Sequence, residues 1–150
     1  MIRVQRDDFD VGAEIARLTQ GRAAVGGIVS FVGVVREGTG SERVTAMTLE
    51  HYPGMTESAL EAIEAEARRR WSLEASLIIH RHGRLEPGER IVLVITASSH
   101  RAAAFEACEF LVDWLKTKAP FWKLETTPAG ERWVDAQASD DDAAERWSAG

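Results

Sequence analysis

The sequence predicts an α+β domain in which a mostly antiparallel sheet is covered by two long helices. Short runs rich in valine and isoleucine, typical of strands, are separated by glycine- and proline-bearing turns. Two long stretches repeat apolar residues at three- and four-residue steps, as amphipathic helices do. Strands and helices follow each other without strict alternation, which favours an α+β class over a parallel α/β fold.

The first part of the chain predicts an edge strand, a helix and a central strand. Residues 2–5 alternate apolar with polar side chains, as a strand at a sheet edge does. Asp10 is the expected cap of a helix over 11–19. The valine-rich run 25–35 is apolar on both faces, so we expect it at the centre of the sheet. Its three glycines mark a bulge or the close approach of another backbone.

The middle of the chain predicts three further strands and the first long helix. The polar, glycine-bearing segment 37–42 has the composition of a mobile loop. Strands are expected over 44–51, 77–82 and 91–98. Between the first two of these, a helix over 56–70 has the threonine at its start as cap and one apolar stripe.

The second long helix follows the last of these strands directly. We expect Ser98 or Ser99 to cap it and Pro120 to lie just beyond its end. Its expected buried face is formed by Ala104, Phe105, Cys108, Leu111, Val112 and Leu115. Because these residues recur at helical spacing, the helix is predicted to pack against the sheet.

The ends of this helix carry cationic side chains. His100 and Arg101 fall in the first turn, where free N–H groups and the helix dipole favour an anion. Lys116 lies in the last turn, and Lys123 follows on a short strand over 121–126. A lysine at a helix end ordinarily only complements the dipole, but here several cations gather around one helix in a chain of net charge -6.

The end of the chain predicts one more strand and an acidic tail. We expect a short strand over 132–136 and a loose terminal helix in the tail at 138–150, with Trp147 as its only anchor. The acidic composition of the tail is typical of a mobile segment. All 150 residues are expected to form one domain.

Composition excludes several classes of protein. The net charge is -6 and there is no dense Lys/Arg stripe, so nucleic-acid binding is not expected. No apolar run approaches the roughly 18 residues of a membrane span. The N-terminus lacks the apolar core of a signal peptide, and a single cysteine suits a reducing compartment, so we expect a cytoplasmic protein.

The sequence contains no common cofactor or metal motif, and we expect neither a cofactor nor a metal. His80 and His82 are geometrically possible as a metal pair, but they lack further ligands at a recognisable spacing. Cys108 lies on the apolar helix face, which is typical of an inert thiol. Any sulfur that the protein handles is therefore expected to come from elsewhere.

The remaining candidates are the five cations Arg36, His100, Arg101, Lys116 and Lys123. Such side chains are typical of sites for a phosphate or a developing oxyanion. A lysine among like charges and aromatic rings should have a lowered pKa and act in part as a proton acceptor or nucleophile. From the residues alone, the protein is an enzyme or a binder for a small anionic ligand.

Several long motifs resemble the large, catalytic subunits of molybdopterin synthases. They are FVGVVR at 31–36, LEHYPGMTE at 49–57, HRHGRLEPGE at 80–89, SSHRAAAFEA at 98–107 and DWLKTKAPFWKLE at 113–125. The resemblance covers about residues 25–136. Long motifs in the same order are far more specific than any lone short motif.

The resemblance implies an α/β-hammerhead-like fold and a sulfurtransferase of molybdenum cofactor biosynthesis. In that family, sulfur moves from the C-terminal Gly-Gly thiocarboxylate of a small ubiquitin-like subunit to cyclic pyranopterin monophosphate, forming the dithiolene of molybdopterin. The large subunits form a homodimer within a heterotetramer. The rival interpretations are a non-catalytic module that binds a ubiquitin-like tail or a phosphorylated metabolite, and a phosphate-ester hydrolase, for which base and nucleophile are lacking.

Site residues carry over by position. Lys116 and Lys123 match the family's catalytic lysines. The substrate-binding positions are matched by Val34, Val35, Arg36, His100, Arg101, Lys116, Lys123, Leu124 and Glu125. Leu124 departs from the family, which often has a basic residue there, so no charge contact is expected from it.

Overall fold

The computed structural model describes residues 1–134 and 138–148 of the chain. Within them the strands are β1 (Ile2–Gln5), β2 (Gly27–Val34), β3 (Ala46–His51), β4 (Ala75–Arg81), β5 (Gly83–Leu85), β6 (Arg90–Ser98), β7 (Phe121–Thr127) and β8 (Gly130–Val134). The helices are α1 (Val11–Thr19), α2 (Met55–Arg70), α3 (Arg101–Lys118) and α4 (Ala138–Glu145), with a 3-10 turn at Gly40–Glu42. No helix among these residues is long and apolar enough to cross a membrane.

The strands form two four-stranded sheets. One sheet has the order β1-β4-β6-β2, and the other has the order β5-β3-β7-β8. All pairings are antiparallel except that of β1 with β4, which is parallel. The predicted α+β class with mostly antiparallel strands is therefore confirmed, and the strands are divided between two sheets.

The larger core lies on both faces of the first sheet. Leu93 and Ile95 of β6 pack with Leu18 of α1 on one face. Val94, between them in sequence, packs with residues of α2 and α3 on the other face, including Phe110. Each such side chain contributes about 1.5–3 kcal/mol through burial. The two long helices thus cover one face, as predicted, and α1 covers the other.

The predicted central position of the valine-rich run is wrong. The run forms β2, which pairs only with β6 and lies at the edge of the first sheet. Ile28 is 41% exposed and Val34 is 47% exposed. Val29 and Phe31, which pack toward α3, are half-buried, whereas Ile28 and Val34 on the other face remain at the protein surface. The predicted edge position of β1 is confirmed.

The glycines of this run behave as predicted. A side chain at Gly26 would meet the backbone oxygen of Ser99 at 2.1 Å, so a neighbouring backbone does come close there. The pairing of β2 with β6 shifts register between Gly33 and Val34, which is the bulge expected from a strand glycine.

The caps of the helices are partly as expected. Asp10 caps α1, since its carboxylate accepts a hydrogen bond from the Ala13 N–H at 2.9 Å. The predicted Thr56 cap of α2 is wrong: Gly54, with φ +88°, is the cap residue, and the Glu57 carboxylate accepts from its N–H. Thr56 lies inside the helix and its buried hydroxyl donates to the Tyr52 carbonyl at 2.8 Å.

The predicted buried face of α3 needs one correction. Phe105 is 60% exposed, whereas Phe110, which was not among the residues of the predicted face, is fully buried. Phe110 packs against Trp71, Trp114 and Trp147. Because α2 and α4 pack on the helix in addition to the sheet, its buried surface is rotated relative to the face expected from contact with a sheet alone.

The tail is held by more than the predicted single tryptophan. Trp147 donates to the Asp113 carboxylate at 2.7 Å, and Arg146 forms ion pairs with Asp113 and Glu109. Trp114 donates to the Ala144 carbonyl at 3.3 Å. Of the strand predicted over 132–136, the part to Val134 is confirmed as the end of β8, and the rest lies outside the described residues.

Candidate functional site

A cavity of about 750 Å³ opens where the end of β2, the end of α3 and the start of β7 meet. Its walls include the segment after β2 and the second sheet. The side chains that give it chemical character are Arg36, Glu37, Glu42, Lys116, Thr117, Lys123, Glu125, Arg132 and Asp140. Cations and carboxylates are therefore mixed, with the cations drawn from four separate elements of the chain.

The turn between α3 and β7 brings the two lysines together. Lys116 is in the last turn of α3, and Ala119 is its C-cap. Pro120 cannot continue the helix, so the chain reverses and β7 begins at Phe121. Because side chains alternate along a strand, Phe121 and Lys123 lie on the same face, toward the cavity.

Lys123 has an unusual electrostatic environment. Burial lowers the pKa of its ammonium group, and the charge of Lys116 lowers it further. Asp140 and Glu125 act in the opposite direction. The side chain thereby holds a proton less firmly than a surface lysine does, which suits a group that gives up and regains a proton during a reaction.

Arg132 is a cavity residue that the sequence did not reveal. It lies opposite Glu125 in the β7–β8 pairing and donates to that carboxylate at 3.1 Å. It also pairs with Glu42 at 3.3 Å. The Glu125 carboxylate is thus bound by an arginine. Only knowledge of the hairpin register connects these two positions, so no local sequence signal identifies Arg132.

His100 and Arg101 do not line this cavity. His100 is the N-cap of α3 and Arg101 is its first residue, and both are exposed. Lys116 lies fifteen residues further along the same helix, which corresponds to about 22 Å at 1.5 Å per residue. Within one chain, therefore, the cavity gathers Arg36, Lys116 and Lys123, while the helix start lies at a distance.

The four remaining predicted positions lie in different surroundings. Val34 and Glu125 line the cavity. Val35 is buried in a core cluster with Leu49 and Leu85. Leu124 is paired with Thr48 in the sheet and does not line the cavity. The missing basic residue at position 124 therefore removes no charge from the cavity of this chain.

A second, smaller chamber of about 80 Å³ adjoins the cavity and shares both lysines with it. His80 of β4 lines this chamber. Its imidazole stacks on Phe121 with ring centroids 3.6 Å apart, and its Nδ1 lies 2.8 Å from the Arg81 carbonyl oxygen. Burial lowers the pKa of His80 to about 3, so the ring is neutral at pH 7.

The histidine pair and the cysteine lie in separate surroundings. His82 packs against His51, with ring centroids 4.5 Å apart, while His80 stacks on Phe121. Among the described residues, no group of three or more His, Cys, Asp and Glu side chains is placed to hold a metal ion. Cys108 is buried, and burial raises the pKa of its thiol to about 11, as an inert thiol requires.

The fold and the cavity together define an α+β protein with one large cavity that two lysines line. Comparison of the sequence gives the family: the sequence model described as "MoaE protein" matches residues 4–118. The chain belongs to this family.

Individual relatives are similar over almost the whole chain. The molybdopterin synthase catalytic subunit of Mesorhizobium japonicum is 55% identical over 148 residues, covering 97% of this chain and 92% of the relative. The protein of the same name from Escherichia coli K12 is 53% identical over 139 residues, covering 93% of this chain and 92% of the relative.

Solved structures agree with this similarity. The molybdopterin biosynthesis MoaE protein of Burkholderia ambifaria has a TM-score of 0.83 and 55% identity, covering 99% of this chain and 98% of that one. A protein-protein complex of subunits 1 and 2 of molybdopterin-converting factor from Helicobacter pylori has a TM-score of 0.72 at 19% identity, covering 91% of each chain. The latter likeness concerns the fold.

Proposed function

We propose that this chain is the catalytic subunit of a molybdopterin synthase. It transfers sulfur from the C-terminal thiocarboxylate of a small ubiquitin-like subunit to cyclic pyranopterin monophosphate, and two transfers build the dithiolene of molybdopterin. The observation that carries the proposal is the meeting of Lys116, Lys123 and Arg36 at one cavity in an acidic chain whose close relatives bear that enzyme's name.

Each transfer exchanges one sulfur atom for one oxygen atom. The thiocarboxylate sulfur forms a bond to a carbon of the pterin side chain while the bond from that carbon to its oxygen substituent breaks, and the oxygen leaves as water or stays on the phosphate. Water then cleaves the bond between that sulfur and the acyl carbon. The tail leaves as a carboxylate, and the pterin keeps the sulfur as a thiolate. Since the sulfur does not change its oxidation state, the exchange needs no external oxidant or reductant.

The cavity residues have distinct proposed roles in this exchange. Lys116, which is exposed at the cavity, donates to the carbonyl oxygen of the tail as negative charge develops there. Lys123, whose pKa is lowered, takes up and returns a proton. Arg36 neutralises the phosphate of the substrate, for which a guanidinium is well suited.

The sulfur must come from a partner, because the chain's own Cys108 is buried and holds its proton. The Helicobacter pylori structure described as a complex of two subunits supports a partner subunit of this kind. We propose that the Gly-Gly tail of that partner enters the cavity, where the absence of side chains on two successive residues lets a chain end approach the lysines closely. We place the reaction in the cytoplasm.

The remaining substrate-binding residues are proposed to act across a homodimer interface. Phe105 of α3 and Phe31 of β2 line an open apolar groove of about 380 Å³. Two copies related by a two-fold axis near this groove would set their α3 helices antiparallel. His100 and Arg101 of one copy would then lie near Lys116 of the other. We propose that this homodimer, with one small subunit on each copy, forms the heterotetramer.

The function is tested by reconstitution. The chain is mixed with a thiocarboxylated small subunit and the pterin precursor, and the dithiolene product is sought by mass spectrometry in a single turnover. We expect product from the wild-type chain and a rate lower by about 10²–10³-fold from Lys116→Ala, with unchanged fold and partner binding. Lys118→Ala is the matched control, because Lys118 lies outside the cavity lining and over the Trp114 ring.

Two outcomes would contradict the proposal. A near-wild-type rate in Lys116→Ala would remove that lysine from the chemistry. Tight binding of the thiocarboxylated partner or the precursor without any product from the wild-type chain would indicate a non-catalytic binding module.

A further inference from the structure

His80 is a buried titratable side chain that the proposed transfer leaves unused. It comes from the first sheet, whereas the two cavity lysines come from the end of α3 and from β7. The chamber of about 80 Å³ is nevertheless lined by His80, Lys116 and Lys123 together. This space holds only a few atoms, so groups on its walls lie close to one another.

The hydrogen bond of His80 identifies its tautomer. The Arg81 carbonyl oxygen can only accept, so Nδ1 at 2.8 Å carries the proton. In a neutral ring Nε2 then holds a lone pair and can accept a hydrogen bond. Among the described residues no donor is bonded to Nε2. Since Nε2 is also not one of the fully buried atoms that lack a partner, part of it is open to space. The chamber is the space that it faces.

The stacking of His80 links it to Lys123 mechanically. Phe121, on which the imidazole stacks at an angle of 14°, lies two residues before Lys123 on the same face of β7. Two residues of a strand span about 7 Å. The ring therefore fixes the start of β7 against the first sheet, and it places a hydrogen-bond acceptor next to the position that Lys123 occupies.

We propose that His80 is a positioning residue of the proposed sulfur transfer: its neutral imidazole accepts a hydrogen bond at Nε2 when the Lys123 ammonium turns into the chamber. The inference rests on the proposed function for its catalytic meaning. An uncharged acceptor stabilises the ammonium group moderately, and Lys123 remains able to release its proton. A carboxylate at this position would hold the proton far more firmly.

The charges around this pair are arranged consistently with that role. No Asp or Glu is among the described residues that line the chamber. Lys116 faces it from α3, and the charge of His51 acts on His80 from β3. The carboxylates that act on Lys123 are Glu125 of β7 and Asp140 of α4. His80 is thus the neutral acceptor on the chamber side of Lys123.

The test is a direct titration of Lys123. The chain contains three lysines, at 116, 118 and 123, so biosynthetic labelling with ¹³C at the ε carbon gives three NMR signals. Lys123→Arg assigns the relevant signal. The titration is compared in wild type, His80→Phe, which keeps the stacked ring but has no acceptor, and His80→Gln, which restores an acceptor near the Nε2 position without the ring.

We expect the Lys123 pKa to fall by at least about half a pH unit in His80→Phe and to stay near the wild-type value in His80→Gln. An unchanged value in His80→Phe would overturn the proposal. A purely structural role predicts the reverse pattern, with His80→Phe normal and His80→Gln altered. If His80→Phe does not fold, His80→Met replaces it as the variant without a nitrogen acceptor.

The titration requires neither substrate nor partner. It therefore reports on His80 even where no sulfur transfer is measured, and a failure of the proposed function is distinguished from a failure of this inference. In the reconstituted reaction, the pH profile of the single-turnover rate should move with the Lys123 pKa in His80→Phe.

Discussion

Lys123 illustrates how a functional group is held in an environment that opposes its charge. Burial and the neighbouring Lys116 both destabilise its ammonium form in the folded chain. In the unfolded chain the same group is solvated and isolated. The folded pKa therefore lies below the unfolded one, and folding is penalised at every pH at which the unfolded lysine is charged.

This penalty gives a stability prediction. Replacing Lys123 with methionine should raise Tm at pH 7 by about 2 °C or more while nearly abolishing product formation. The gain should be largest below the folded pKa of Lys123. It should shrink as pH rises through that value and vanish above the ordinary lysine pKa of 10.5, because the lysine is then neutral in both states.

Thermal unfolding of both proteins between pH 6 and 11 checks this prediction. Lys118→Met is the control, since Lys118 is exposed and its ammonium lies over the Trp114 ring. A Lys123→Met protein that is less stable than wild type at pH 7 would show that the buried ammonium is fully compensated by its surroundings.

At the residue scale, the sequence identified those cavity residues whose positive charge is unusual in this acidic chain. Arg36, Lys116 and Lys123 were predicted, and all three line the cavity. Arg132 and His80 were not identified as cavity residues, because Arg132 depends on the register of the β7–β8 hairpin and His80 contacts β7 from the other sheet. Neither the register of a hairpin nor the packing of two sheets is encoded by local composition.

At the scale of elements, β2 shows where the prediction from the sequence differs from the structure. Its glycines correctly indicated a bulge and a close backbone approach. Its position in the sheet was predicted wrongly, because an apolar run has the same composition whether it is covered by its own chain or left at an exposed edge. Burial on both faces is a property of the whole assembly of elements, and Ile28 and Val34 remain exposed in the single chain.

The bulge of β2 yields a second prediction. A Cβ at Gly33 would lie 2.7 Å from Cγ1 of the buried Val92 and 3.5 Å from the Phe31 ring, so Gly33→Ala forces the strand or its neighbour to move. We expect a loss of about 1–2 kcal/mol in the free energy of unfolding. Because Gly33 and Phe31 both line the small chamber, the Lys123 signal should also shift.

Gly27→Ala is the matched control for this change. It lies on the same strand, but its added Cβ would meet Arg101 at an ordinary contact distance of 3.5 Å. Urea unfolding of the two variants compares them directly. Equal stability of both would mean that β2 adjusts freely at the bulge and that its glycine has no packing role.

At the scale of the whole molecule, the single chain has an incomplete set of the predicted substrate-binding residues at its cavity. The α+β class, the order of the elements other than β5, and most of their bounds followed from periodicity and turn residues. The separation of His100 and Arg101 from Lys116 follows from the length of α3, because the fifteen residues from Arg101 to Lys116 span about 22 Å. If the groups at both ends of this helix act as proposed, they require either two sites or a second copy.

The proposed homodimer supplies the second copy, and mixed dimers of two variants test it. Lys116→Ala and Arg101→Ala should each be nearly inactive alone. If one copy supplies Lys116 and the other supplies Arg101, a mixed dimer has one intact site and one doubly damaged site. Since random assembly makes half of all dimers mixed, co-expression of the two variants should recover about a quarter of the wild-type activity.

The pair Lys116→Ala and Lys123→Ala is the negative control for that experiment. Both lysines line the cavity of the same chain, so every site in their mixed dimers lacks one of them and no activity should return. Differently tagged copies allow the mixed dimers to be purified before the single-turnover measurement. Recovery of activity in the first pair with none in the second places Arg101 across the interface from Lys116. No recovery in either pair would confine each functional cavity to one chain, and the start of α3 would then be separate from the chemistry.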